Sequence, residues 1–138
     1  MFKQVESVAL RLLLVIGVLA GTAGCVGTVT KPDLPGSYLA DYGFATETLQ
    51  IDEGGAFKQQ ITVKADGRVA KATGSWRFDP TDGHIYFSEE FLVVVDGFGK
   101  LIPDFDSSPR KAISILPVRR SFGKIQIGTD PRVPYKRL

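Results

Sequence analysis

The sequence is poor in the residue types on which disulfide frameworks and metal centres depend. Its 138 residues include a single Cys, a single His and a single Trp. One Cys excludes an intrachain disulfide framework, and one His excludes a metal site built from several histidines. No collagen-like or heptad repeat is present. A hydrophobic content of 43% with a formal net charge of +2 is not typical of a disordered chain. The length predicts one compact domain.

The first 24 residues have the composition of a targeting segment. Lys3 and Arg11 precede an uncharged apolar run at residues 12–20, and small residues follow at 21–24. A basic start, a short apolar run and a small-residue exit are the parts of a secretory signal peptide. The run is shorter than the ~20 apolar residues of a spanning helix. We therefore predict a signal peptide at residues 1–24, with an uncleaved anchor helix as the alternative.

The only cysteine follows directly, in Thr22-Ala23-Gly24-Cys25. This stretch resembles the bacterial lipobox, in which small residues precede a Cys that is lipidated and becomes the mature N-terminus. Thr22 stands where Leu, Val or Ile is usual. The resemblance implies a diacylglyceryl anchor on Cys25 that holds the protein to a lipid bilayer. Cleavage after Ala23, which would release a soluble secreted protein, is the alternative.

The residue after the cysteine bears on location in the cell envelope. Asp at this position is the usual signal for retention in the inner membrane, and here the residue is Val26. In a cell with two membranes, the resemblance therefore favours the periplasmic leaflet of the outer membrane.

Residues 25–35 are predicted to be the lipidated Cys and its tether, and residues 36–138 a single β domain. Pro32 and Pro35 favour an extended tether. From Gly36 onward, hydrophobicity alternates with period two between turn signals, which is typical of antiparallel strands. The predicted strands span residues 36–42, 45–51, 57–64, 69–78, 84–88, 91–95, 112–120, 124–127 and 133–138.

Four local features carry further expectations. Asp66-Gly67 is the pair that type I′ hairpin turns prefer. Trp76 shares a strand face with other apolar residues, so we expect it in the core. The continuous apolar run at 91–95 predicts a strand buried on both sides or crossing the core. Pro117 predicts an edge position or a bulge.

The expected fold is all-β, a small antiparallel up-and-down barrel or half-barrel of about eight strands, with a β-sandwich as the alternative. Several short motifs are similar to those of lipocalin-type (calycin) barrels and of small lipocalin-like bacterial lipoproteins. The resemblance covers about residues 36–88, and Tyr38 stands where lipocalins have Trp. It implies ligand binding as a tendency of that family. The motifs are Gly36-Ser37-Tyr38, Leu49-Gln50-Ile51, Gly55-Ala56-Phe57, Asp66-Gly67, Gly74-Ser75-Trp76 and Ile85-Tyr86-Phe87.

The segment 96–111 is unusually long for a connection in a small β domain. Its side chains Phe98, Leu101 and Phe105 give it an apolar side. Long irregular segments are typically functional, so we predict that these three residues, with Trp76, border a ligand-binding surface. The alternative is a cover packed over the open end of the barrel.

Residues for catalysis or metal binding are sparse. His84 is predicted on the solvated face of its strand, away from a nucleophile. Asp104 and Asp106 are the nearest approach to a cation site, but the Gly and Glu of an EF-hand loop are missing. No phosphate-cradling loop is present. We therefore predict no enzyme activity, no metal and no cofactor.

Charge is distributed unevenly along the chain. Residues 25–106 hold 7 basic and 13 acidic side chains, a net of −6, whereas residues 107–138 hold 8 basic and 1 acidic, a net of +7. One account is that the last strands pair with acidic earlier strands. The other is a basic face toward an anionic surface, with Arg119, Arg120, Lys136 and Arg137 as its contacts. Nucleic acid is not expected as a partner of an exported chain.

Together these features predict a non-enzymatic, membrane-anchored envelope lipoprotein. Its barrel is expected to bind a small apolar or amphipathic ligand or an envelope protein. The alternative is a structural or accessory subunit of an envelope complex, whose core is filled and binds no ligand.

Overall fold

The computed structural model describes residues 27–94, 110–128 and 134–138. In these residues the fold is all-β, and the 3-10 turn Lys31–Asp33 is the single helical element. Period-two alternation produces the strands because it sorts apolar and polar side chains onto opposite faces. The strands are β1 (Gly36–Asp41), β2 (Ala45–Ile51), β3 (Ala56–Val63), β4 (Val69–Asp79), β5 (His84–Phe87), β6 (Leu92–Val93), β7 (Arg110–Lys111), β8 (Ser114–Ser121), β9 (Lys124–Ile127) and β10 (Tyr135–Arg137).

Eight of these strands close into an antiparallel barrel. Their order is β1-β2-β3-β4-β5-β8-β9-β10, and β10 returns to β1. Where the barrel closes, Tyr38 pairs with Arg137 and Leu39 with Lys136. The predicted all-β barrel of about eight strands is confirmed in its closed form, and the sandwich alternative is excluded. Closure pairs the strand edges that an open sheet leaves exposed.

We call the two ends of the barrel the proximal end and the distal end. At the proximal end β1 begins, and Gly36 pairs with Ile51. At the distal end the β1–β2 and β3–β4 hairpins turn, and Ala45 pairs with Val63. The β8–β9 hairpin turns at the proximal end, because β8 runs from its pairing with Phe87 toward the start of β9.

The inward face of the barrel carries the core. Every second residue of β2 and β3 is buried. Trp76 is 5% exposed and packs in one cluster with Phe57 and Phe87, so its predicted core position is confirmed. Phe57 meets Phe87 edge-on, with ring centroids 5.3 Å apart, a geometry that aromatic pairs prefer.

Residues 91–94 do not form the barrel strand predicted for 91–95. Only Leu92–Val93 is a strand, and it pairs with Arg110–Lys111 in a separate two-stranded sheet that is not part of the barrel ladder. The predicted burial is confirmed, since Phe91, Leu92 and Val94 are at most 4% exposed. An apolar run indicates burial, but it does not show whether its backbone N–H and C=O groups form hydrogen bonds with a neighbouring strand or with side chains.

The hairpin turn at Asp66-Gly67 differs from the type I′ geometry expected from the sequence. Type I′ geometry needs positive φ at both central residues, but at Asp66-Gly67 only Gly67 has it, with φ 71°. The N–H of Gly67 donates to the C=O of Val63, which makes a wider turn. The adjacent residues with positive φ are instead Phe122 (49°) and Gly123 (77°), between β8 and β9.

Pro117 lies in a strand with a neighbour on each side, and the expected edge position is wrong. In the ladder with β5, Pro117 is the partner of His84. The ladder with β9 begins one residue later, at Val118. The C=O of Pro117 faces Gly128, so its missing N–H falls at the end of the β8–β9 ladder, where the loss of one donor is tolerated.

The N-terminal segment, residues 27–35, folds against the proximal end of the barrel instead of remaining extended. Thr30 and Asp33 form a capping box around the 3-10 turn. Leu34 is fully buried, and its C=O accepts a 2.6 Å hydrogen bond from the hydroxyl of Tyr38. Arg120 forms an ion pair with Asp33 at 3.1 Å. Tertiary packing thereby overrides the extended preference of the two prolines.

Candidate functional site

A cluster of polar side chains lies inside the barrel. Glu47 and Gln59 point inward from β2 and β3 and are at most 2% exposed. One carboxylate oxygen of Glu47 accepts hydrogen bonds from Gln59 at 2.5 Å and Tyr135 at 2.7 Å. The other oxygen accepts a 2.5 Å hydrogen bond from Tyr42. The barrel therefore encloses a carboxyl group that receives three donated hydrogen bonds.

Burial dominates the electrostatics of this cluster. Loss of water raises the pKa of Glu47, although the three hydrogen bonds that its carboxylate accepts act in the opposite direction. Burial also raises the pKa of Tyr42 and of Tyr135, and the nearby Glu47 carboxylate adds to both shifts. The tyrosines therefore stay protonated and act as donors to Glu47.

Gln59 also binds the segment that follows β5. Its side-chain oxygen accepts a 2.8 Å hydrogen bond from the N–H of Leu92, and its side-chain nitrogen donates to the C=O of Leu92 at 2.9 Å. The side-chain amide thus pairs with both backbone groups of one residue, as a residue of a neighbouring strand would. Leu92 and Val94 then pack with Ala72, Ile61 and Ala45 in the distal half of the barrel.

The proximal half of the interior is filled as well. A Cβ atom built on Gly74 would lie 2.6 Å from Cε1 of Phe57 and would also meet Ser88. Phe91 stacks on Phe87 with ring centroids 4.5 Å apart. The small residues at positions 72 and 74 therefore make room for neighbouring side chains of this same chain.

The polar cluster was missed in the sequence, but alternation contains the signal for it. Glu47 has the same parity as Leu49 and Ile51, and Gln59 lies between Phe57 and Ile61 on one face. A polar residue in register with a buried apolar face is an interior polar group. Its partner Tyr42 lies in the turn just after β1, and its partner Tyr135 lies 88 positions from Glu47, a pairing that alternation does not reveal.

The predicted ligand-binding residues are only partly placed. Trp76 lies in the core at the proximal end, where its indole N–H donates to the C=O of Asp52 at 2.9 Å. Lys31 lies over its ring, 5.7 Å from the centroid. Phe98, Leu101 and Phe105 lie outside the described residues, as do Cys25, Asp104 and Asp106.

The histidine lies on the outer surface, as its strand position predicts. His84 is about one-third exposed, and its Nδ1 is 2.8 Å from the C=O of Asp82. Within the described ranges, no group of three or more His, Cys, Asp or Glu residues is placed to hold a metal ion.

The four predicted basic contacts fall into two pairs. Arg119 and Lys136 lie on the outward face, where both flank Gln126 in the ladders. Arg120 and Arg137 lie at the proximal end and bind the N-terminal segment. Arg137 donates to the C=O of Asp33 at 3.0 Å and to that of Pro35 at 2.7 Å. These two arginines therefore attach the N-terminal segment to the barrel.

The proximal end carries a shallow groove of mainly basic character. Among the described residues, Arg120, Lys124 and Arg137 line it together with the acidic side chain of Asp33. The hydrogen bonds donated by Thr30 and the nearby Arg120 lower the pKa of Asp33. Gly27 lies beside this groove, since a Cβ atom on it would be 3.1 Å from Cδ of Arg120.

A second surface, which we call the β5–β8 face, is partly apolar. It comprises Arg77, Tyr86, Ile113 and Ile115. Tyr86 pairs with Arg77 on one side and Ile115 on the other, and the guanidinium of Arg77 lies 3.7 Å from the centroid of the Tyr86 ring. Ile113 is 66% exposed and Ile115 52%.

Comparison with protein-family models, with curated proteins and with solved structures found no match to this chain. Among the residues that the structure describes, no helix has the length and apolar character needed to cross a membrane.

Proposed function

We propose that this chain is a non-enzymatic, lipid-anchored protein of the cell envelope that binds a protein partner on the outer surface of its barrel. The observation that carries the proposal is the filling of the barrel interior by residues 91–94. A barrel that holds a ligand needs an empty interior, whereas small barrels can be filled with side chains. Of the two functions that the sequence suggests, the filled core favours the alternative, a structural or accessory subunit that contacts a protein partner and binds no ligand in its barrel.

Specific hydrogen bonds hold residues 91–94 inside the barrel. Leu92 is fixed by two hydrogen bonds to Gln59. Gln59 is itself hydrogen-bonded to Glu47, so the segment is tied to the buried polar cluster. Displacing it would leave buried polar groups without partners, which costs ~1–3 kcal/mol for each group. The segment is therefore part of the folded core, and we do not expect it to open for a ligand.

The outward surface supports partner binding at the β5–β8 face. Exposed apolar side chains that cluster and are rimmed by polar groups mark interaction sites. Ile113 and Ile115 form such a cluster, and Tyr86 and Arg77 are residue types enriched in interface centres. Glu89 and Glu90 lie at the rim of the same surface.

The anchor part of the proposal depends on Cys25 and the position of the N-terminal segment. Metabolic labelling with a fatty-acid analogue should mark the wild-type protein, and Cys25→Ser should remain unlabelled. Equal labelling of both proteins would refute the anchor.

The filled interior is tested with an apolar fluorophore such as N-phenyl-1-naphthylamine. The purified wild type should give no stoichiometric increase in fluorescence. The double variant Leu92→Ala/Val94→Ala opens the distal half of the barrel and serves as the positive control. Stoichiometric uptake by the wild type would overturn the partner-binding proposal in favour of a ligand carrier.

The partner surface is tested by photo-crosslinking in cells. A photoreactive residue at position 115 should yield one discrete adduct, and the adduct should be lost when Ile113→Asp is added. Position 69, which is exposed at the distal end, is the matched control. Equal adducts at both positions would show that the β5–β8 face is not the binding surface.

A further inference from the structure

The tip of the β8–β9 hairpin carries a fully exposed aromatic residue. Phe122 is 102% exposed, the highest value among the exposed large apolar residues of the described ranges. It occupies the first of the two central turn positions, with φ 49°, and Gly123 occupies the second with φ 77°. The ring therefore projects from the proximal end with no contact that would bury it.

The turn itself gives no reason for phenylalanine. Two-residue turns with both φ values positive prefer Asn, Asp or Gly. A bulky residue at positive φ is a conformational outlier, and such strain is found at functional sites. Phe122 thus has both a steric cost and an exposed apolar surface. A role outside the fold would account for both.

The groups around Phe122 are basic. Arg120 and Lys124 flank the turn, and Arg137 lines the groove beside it, where Asp33 is the one acidic side chain among the residues that the structure describes. Leu138, which is 74% exposed, lies at the same groove. An exposed aromatic ring among Lys and Arg is the composition that binds the interface of an anionic bilayer.

The length of the chain before the described residues fixes where an anchor would attach. Gly27 lies against Arg120, next to the β8–β9 turn. Cys25 is two residues earlier, and two residues span at most ~7 Å. An acyl group on Cys25 would therefore enter the bilayer close to Phe122, and the proximal end would face the membrane.

We propose that the β8–β9 hairpin is a second membrane contact, in which Phe122 inserts into the headgroup region of an anionic bilayer while Lys124 contacts the lipid phosphates. The inference rests on the acyl anchor of the proposed function and adds an orientation to it. Two contacts at one end hold the barrel axis upright, whereas one flexible attachment leaves it free to tilt. The β5–β8 face is then presented sideways, clear of the bilayer.

The insertion is tested with full-length Phe122→Trp protein and vesicles of phosphatidylglycerol mixed with brominated phosphatidylcholine. The indole introduced at position 122 should shift its emission to shorter wavelength and be quenched at least twofold by the brominated chains. Val69→Trp, at the distal end, should show neither change. The wild type, in which Trp76 is the sole indole, supplies the background. Unquenched emission at position 122, or equal quenching at both positions, would overturn the proposal.

A second variant separates membrane contact from folding. Asn is favoured at this turn position, so Phe122→Asn should have an equal or higher unfolding midpoint. It should nevertheless lose at least half of its preference for anionic over zwitterionic vesicles. An unchanged preference in a folded variant would contradict the contact.

Mass spectrometry of the same samples reports acylation of Cys25 separately. An unmodified Cys25 together with a quenched indole at position 122 refutes the anchor and leaves the hairpin contact standing. An acylated Cys25 together with an unquenched indole at position 122 supports the anchor and refutes the hairpin contact.

Discussion

Two residues in the barrel interior show how one side chain's size or charge fixes its surroundings. Gly74 lacks a Cβ atom where Phe57 and Ser88 approach, and this allows the aromatic cluster to pack tightly. Glu47 places a carboxyl group in the same interior, where three neutral donors surround it. Gly74 is required because a larger side chain would clash with its neighbours. Glu47 is tolerated in the interior because a complete hydrogen-bond network surrounds it.

Gly74→Ala should destabilise the protein by ~1–3 kcal/mol, the usual cost of overpacking a core. The added Cβ would lie 2.6 Å from Phe57, so either the ring or the strand must move. Gly54→Ala is the matched control, because Gly54 lies in a turn with no atom within 4 Å of a built Cβ. Denaturant unfolding of both variants checks this. Equal midpoints for the two would contradict the packing argument.

Glu47→Gln should change how stability depends on pH. The pKa of Glu47 is raised in the folded state by burial, so its contribution to stability is complete below the unfolded-state pKa of ~4.3. That contribution is lost as pH rises through the raised pKa. The variant lacks this titration, so its unfolding free energy should improve relative to the wild type as pH increases from 4 to 8.

Exposed carboxyl groups do not obscure this comparison, because both proteins share them. Their hydrogen bonds lower their pKa values, which gives the opposite pH dependence in each protein and cancels in the difference. Parallel pH profiles for wild type and variant would contradict a raised pKa at Glu47. The groups concerned are Asp33, Asp41, Asp66, Asp79, Asp82 and Glu90.

At the level of elements, alternation predicted the barrel strands well because each has one buried and one solvated face. The same signal fails for residues 91–94, whose run of apolar residues has no polar face to set a period. The backbone N–H and C=O of Leu92 are hydrogen-bonded by the Gln59 side chain, a partner more than thirty positions away. Such a pairing is invisible to any local pattern.

The N-terminal segment is the other element that local patterns misdescribe. Its prolines favour extension, but Leu34 is buried and Arg137 binds the carbonyls of Asp33 and Pro35. The extended preference of the prolines is overridden by contacts with a strand about a hundred residues later.

Arg137→Ala should loosen the N-terminal segment without unfolding the barrel. It removes two hydrogen bonds from a charged donor, each worth ~1.5–3 kcal/mol at most and less at an exposed site. Limited proteolysis should cut before Pro35 at least several-fold faster than in the wild type. Lys136→Ala, on the outward face, should leave the rate unchanged. If both variants were cut at the same rate, Arg137 would not be what holds the segment.

Across the whole molecule, closure places the basic C-terminal strands beside the first strand rather than beside acidic ones. β10 pairs with β1 through Tyr38 and Leu39, and neither residue is acidic. Among the described residues, Arg120 of these basic strands forms its ion pair with Asp33, in the N-terminal segment. The sequence predicted the charge asymmetry but not this partner, because closure joins residues from opposite ends of the chain.

The buried polar cluster around Glu47 is likewise predictable from the sequence only in part. Alternation on β2 and β3 is sufficient to place Glu47 and Gln59 inside, since each sits between buried neighbours. Tyr42 reaches Glu47 from the adjacent turn between β1 and β2. Tyr135 completes the cluster only because closure places β10 next to β1. Long-range pairing is what the sequence pattern leaves undetermined.

Removal of residues 135–138 should therefore unfold the protein as a unit. Tyr135 fills the core and donates to Glu47, and β10 joins β9 to β1. Its loss leaves two open strand edges and a buried carboxyl group short of one donor, and open edges promote association between chains. We expect loss of the cooperative thermal transition and recovery of the protein mainly as aggregate.

Tyr135→Phe and removal of Leu138 alone separate the causes of that effect. Tyr135→Phe keeps the strand and the ring but removes the donor to Glu47, so it should cost ~1–3 kcal/mol while the transition stays cooperative. Loss of Leu138 removes one backbone hydrogen bond to Ser37 and should cost ~1 kcal/mol or less. Calorimetry distinguishes the three proteins. A cooperative transition in the protein lacking residues 135–138 would mean that β10 is dispensable and that the other seven strands are stable as an open sheet.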